Sequence, residues 1–106
     1  MSQRILKASY QNRPIEVLIG WDRPFGCYFM VISYAGAPGA AEPHLYSNLD
    51  DPNTEWHASF AYFAKVAARF QITLPPAMLA ALEVDKPLNR GNARSIFTGN
   101  GAETPA

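Results

Sequence analysis

The sequence predicts an α+β domain, an antiparallel three- to four-stranded β-meander followed by two helices packed on one face. Three observations carry this. Residues 15–21 alternate sides with a period of two, between two further strand-like runs. Residues 56–70 instead space their aromatics by three and four, and paired prolines then separate a second apolar stretch.

Residues 4–10 and 15–21 read as the first two strands. Ile15, Val17, Ile19 and Trp21 share one face of the second, with Glu16, Leu18, Gly20 and Asp22 on the other. Gln11-Asn12-Arg13-Pro14 between them has turn chemistry, so a hairpin is expected. Asp22-Arg23-Pro24-Phe25-Gly26 is a second turn, with proline to preset φ and glycine to supply positive φ. Cys27–Tyr34 is apolar on both faces, which places it in the sheet interior with helices over at least one face.

Residues 35–43 carry Gly36, Pro38, Gly39 and Pro43, the composition of a loop. His44-Leu45-Tyr46 reads as a short extended segment. Asp51 before Pro52 reads as a helix N-cap, with proline in the first turn. The helix should reach about Phe70, with Trp56 one turn ahead of a Phe60, Phe63, Ala67, Phe70 stripe. Pro75-Pro76 stop it and suit a new start, giving a second helix over Pro76–Asp85 ended by Pro87. Arg94–Phe97 fits a short last strand. Residues 1–98 thus form one domain, and the Gly-rich tail 99–106 is expected to be disordered.

Composition narrows the function. The chain has 106 residues, 48% of them hydrophobic, enough for one core without metal or disulfide. Nine basic residues balance nine acidic ones, so the excess typical of nucleic-acid binding is missing. Cys27 is the single cysteine, and no apolar run approaches membrane-spanning length. A cytoplasmic protein is expected, with no membrane association and no cofactor.

Each candidate site has a plainer explanation. Trp21, Arg23 and Phe25 could form an amphipathic corner, or simply a turn beside a buried tryptophan. His44, Asp50, Asp51 and His57 match no metal-ligand spacing. Cys27 could be a nucleophile only with a histidine beside it, and its apolar strand argues for packing. Asn89-Arg90-Gly91-Asn92-Ala93-Arg94 could hold an anion. Alternatively Asn89 or Gly91 ends the preceding segment in αL, with the arginines on carboxylates such as Asp85 or Asp22.

Three phrases stand out together: Gly20-Trp21-Asp22-Arg23-Pro24, Tyr46-Ser47-Asn48-Leu49-Asp50, and Asn89 through Asn92 with Arg94 following. With Phe29-Met30, they resemble a group of small uncharacterised bacterial proteins, some from plasmids, phages or other mobile elements. That resemblance implies no activity, but it points to the three polar loops.

The expectation is therefore a non-enzymatic protein-interaction module, an adaptor, inhibitor or regulatory protein. Its candidate partner-binding residues are Trp21, Asp22, Arg23, Tyr46, Asn48, Asp50, Arg90, Asn92 and Arg94. The partner would be another protein, and homodimerisation through a sheet edge or the apolar third strand is a separate expectation. The alternatives are a nucleic-acid-associated protein using Arg13, Arg23, Arg90 and Arg94, or a small ligand- or metal-binding enzyme.

Overall fold

The computed structural model describes residues 2–24, 26–34, 45–51, 59–89, 91, 93–98 and 103–105. The strands are β1 (Ser2–Tyr10), β2 (Arg13–Asp22), β3 (Cys27–Tyr34), β4 (Tyr46–Ser47), β5 (Ala93–Phe97) and β6 (Glu103–Pro105). The helices are α1 (Phe60–Arg69) and α2 (Pro76–Asp85). The α+β class holds, but the sheet is larger than a three- to four-stranded meander and is not purely antiparallel. Its order is β4-β3-β2-β1-β5-β6, and β5 runs parallel to β1. The centre of the sheet is consequently β1 and β2, with β3 one strand further out.

The β1–β2 hairpin closes on two residues, Gln11 and Asn12, both at positive φ. Their left-handed backbone is that of a type I′ turn, whose twist matches the flanking strands. Arg13 and Pro14, assigned to the turn by composition, instead pair with Tyr10 and Ser9. At the β2–β3 turn Gly26 takes φ of 63° and donates its N–H to the Asp22 carbonyl.

Residues 52–58, including Trp56 and His57, lie outside the described residues. Asp51 closes the preceding 3-10 turn in extended backbone, and the helix start expected just after it lies outside the described residues. The cap of α1 is Ser59, whose hydroxyl accepts the Tyr62 N–H. At the far end Ile72 N–H reaches the Ala67 carbonyl and Gln71 N–H the Ala68 carbonyl, with Gln71 at φ of 60°. This is a Schellman closure with glutamine in the position that glycine favours. Helix α2 has the predicted bounds, with Pro76 in its first turn.

Strand register sorts the sheet into two faces. Leu6, Ile15, Val17, Ile19, Trp21, Tyr28, Met30, Ile32 and Phe97 point one way and are buried with Phe63, Val66 and Ala67 of α1 and Met78 and Leu82 of α2. Both helices therefore pack on one face, as their apolar stripes require. No described helix covers the other face. Residues 103–105, placed by composition in the structureless tail, pair with β5.

Candidate interaction surface

The end of the sheet where β2 turns into β3 gathers two of the three polar loops. Trp21 is only 6% exposed. Its ring packs edge-on against Tyr28 at 5.0 Å, and its Nε1 donates to Asn89 Oδ1 at 2.8 Å. Asn89 holds φ of 45°, a conformation asparagine tolerates better than most residues. One side chain thus ends α2's following turn and satisfies a buried indole. Arg23 is exposed, and its guanidinium lies 3.3 Å from where a Cβ on Gly91 would stand. Asp22 is half-buried, and its carbonyl closes the turn onto Gly26.

The third loop joins further up β3. Asn48 Oδ1 accepts the Met30 N–H, closing a backbone donor beyond the last β4 pair. Tyr46 is half-buried, and its hydroxyl donates to Asp51 Oδ2 at 2.7 Å. The Tyr62 hydroxyl donates to the same oxygen, also at 2.7 Å, so one carboxylate ties β4 to α1. Burial and then the Asp51 hydrogen bond push the Tyr46 phenol well above its ordinary range. Asp50 is exposed on the 3-10 turn Asn48–Asp50, beside Leu49. Arg90 and Asn92 lie outside the described residues, and Arg94 is exposed on the helix-free face of β5. Arg13 and Arg23 stand at opposite ends of β2, so they do not share one end of the sheet.

Beneath this end lies a polar network that the sequence reading missed. Asp85, fully buried at the end of α2, receives Arg4 Nη2 on Oδ1 at 2.8 Å, with Arg4 Nε and Ser2 Oγ on Oδ2. Arg4 Nη1 donates to Ser95 Oγ at 2.8 Å, and Trp21 N–H donates to Ser2 Oγ. Asp85, named above as a partner for loop arginines, is thus engaged by Arg4 of β1. A carboxylate at a helix C-terminus opposes the dipole. The two-pronged guanidinium offsets that and fastens α2 across β1 and β5. The signal was available: Asp85 follows Met78 and Leu82 at helical spacing, and Arg4 shares the parity of Leu6 on β1.

The helix-free face has a different make-up. Ile5 pairs with Ile96 on β5 and Leu18 on β2, and Leu18 pairs with Val31 on β3. Ile96, Ile5, Leu18 and Val31 thus form one row across four strands, and all but Ile5 are half-exposed. Two residues along β3 from Val31, Phe29 lies over Gly20, where a Cβ would stand 2.9 Å from the ring and 1.9 Å from the Ser2 carbonyl oxygen. Polar side chains border the band on both sides, an ion-paired Lys7 and Glu16 with Ser33 on one, Gln3 and Arg94 on the other. An apolar centre with a polar rim is the anatomy of a protein interface.

Cys27 lies on the helix-free face, and burial followed by Asp22 pushes its thiol up, away from the thiolate a nucleophile needs. Among the described residues no three His, Cys, Asp or Glu side chains could hold a metal, and His44 and His57 lie outside them. Among the described residues no helix is long and apolar enough to cross a membrane. Comparison with protein-family models, curated proteins and solved structures returns no match.

Proposed function

We propose that this chain is a non-enzymatic protein-interaction module, a small adaptor, inhibitor or regulatory protein, whose contact surface is the helix-free face of the sheet. The observation that supports this best is the aliphatic row Ile96–Ile5–Leu18–Val31, held on rigid strands and bordered by charge. The polar loops expected to bind serve mainly inward. Trp21, Tyr46 and Asn48 each spend their polar atom on another part of the fold. Arg23, Asp50 and Arg94 are exposed. A reducing cytoplasm suits the single, half-buried Cys27.

The test is chemical cross-linking in the native cell, comparing the tagged wild type with Leu18→Glu. Specific protein cross-links should form with the wild type and disappear with the variant. Cross-links that survive Leu18→Glu unchanged, or a wild type with none, would end this reading.

A further inference from the structure

Resting on that reading, we propose that the occupant of the helix-free face is a second copy of this chain, stacked sheet to sheet about a twofold axis parallel to the strands and midway between β1 and β2. Such an axis places β1 of one copy over β2 of the other, level by level. The strand register then decides whether the face complements itself.

It does so on three consecutive levels. On the middle level Ile5 meets the partner's Leu18 and Ile96 meets the partner's Val31, so aliphatic covers aliphatic on both sides of the axis. One level along, Lys7 meets the partner's Glu16, and Glu16 meets the partner's Lys7. Both ends of each ion pair gain a second opposite charge, a square of alternating sign at the border of an apolar patch. One level in the other direction, Arg94 beside Gln3 meets the partner's Phe29 beside Gly20. A guanidinium over an aromatic face is favourable, and Gly20 leaves the ring room to lie flat. An isologous interface needs this property, because each residue type must accept its own twofold image.

Two further features suit a second copy. The nine positive and nine negative charges cancel, so two copies approach without net repulsion. The strands of both sheets run nearly parallel in the stack, which is the aligned arrangement that twisted sheets adopt when packed face to face. Homodimerisation through a sheet edge or the apolar third strand, expected from composition, is replaced here by a whole face centred on β1 and β2.

Sedimentation equilibrium on the purified chain, from about 1 μM to about 500 μM, gives the association constant. The wild type should be a reversible dimer within that range. Leu18→Glu should weaken it at least about tenfold, with an unchanged circular dichroism spectrum and the melting of the dilute wild type. Leu18→Ser replaces it should the glutamate prevent folding. The decisive arm uses charge. Lys7→Glu and Glu16→Lys alone should each dimerise weakly, because like charges then face each other across the axis. Mixed together, the two variants should form a heterodimer in preference to either homodimer. A structural role for the Lys7–Glu16 pair within one chain predicts no such preference. A wild type that stays monomeric throughout, a Leu18→Glu that associates like the wild type, or variants that do not prefer each other would overturn the proposal. If the wild type is monomeric but Leu18→Glu still abolishes cross-links in the cell, only the second copy is excluded and the interaction module stands.

Discussion

On β3, Tyr28, Met30 and Ile32 turn toward the helices and are buried, whereas Phe29, Val31 and Ser33, interleaved with them, turn away and stay half-exposed. Apolar character alone does not distinguish the two sets. What separates them is the cover: α1 and α2 bring Phe63, Val66, Met78 and Leu82 onto the first face, and no described helix reaches the second. Apolar surface that folding leaves uncovered gains by covering it in association, and the contrast between faces is how such a surface is found.

That contrast can be broken most severely from below. Removing the carboxylate with Asp85→Leu takes the two-pronged ion pair from the buried Arg4, and denaturant unfolding should show a loss of about 3–5 kcal/mol. The double variant with Arg4→Met should recover most of it, because the pair must also repay its desolvation. If the double variant is no better than Asp85→Leu alone, the network has been misjudged.

A neighbouring pair on β3 sharpens the comparison directly. Met30→Ala, on the covered face and fully buried, should cost about 2–5 kcal/mol. Val31→Ala, one residue on, should cost the isolated chain less than about 1 kcal/mol. Its effect should appear instead in association. Equal losses from the two would mean that both faces are core.

The covered face also carries a dependence on pH. Burial first, then Asp85 and Glu83, push the Tyr28 phenol up to about 12, while its hydroxyl donates to the Leu82 carbonyl at 2.7 Å. In the unfolded chain a tyrosine titrates near 10. The folded state thus prefers the neutral form, and the stabilisation is complete below pH 10. It is lost as pH rises from about 10 toward 12, by up to roughly 2–3 kcal/mol. Tyr28→Phe should be less stable at neutral pH, yet show a flatter decline above pH 10 in thermal melts. A slope unchanged by the substitution would assign the alkaline sensitivity to other tyrosines.

Much of the architecture was legible because it is local. Period-two alternation located β2, an apolar run after a Pro/Gly turn located β3, and Pro76 and Pro87 bracketed α2. The parallel pairing of β5 with β1 was not legible, since Ala93–Phe97 is short, mixed in character and far from its partner in sequence. The two tyrosine hydroxyls that meet on Asp51 were not legible either, since one of them lies eleven residues on. The candidate surface shows the same division. Leu18 could be assigned to the face opposite Val17 by parity alone, but the Ile96–Ile5–Leu18–Val31 row exists only once three registers are known. Trp21 read as a candidate binding anchor because tryptophan is common at interfaces. The partner of its indole N–H, Asn89, lies 68 residues away and could not be read from the sequence.

The place of β1 has a consequence for the order in which the molecule can be assembled. Its hairpin with β2 needs only neighbouring residues and can close as soon as they exist. Its other edge is completed by β5, and Arg4 reaches Ser95 across 91 residues. On a ribosome that edge must wait until β5 has been made, after β2, β3, β4 and both helices. During that interval the strand destined for the middle of the sheet is a border strand, with Leu6 and Ile5 beside open backbone groups. Of the described strands, β1 is made before the others and yet is among the last to be enclosed.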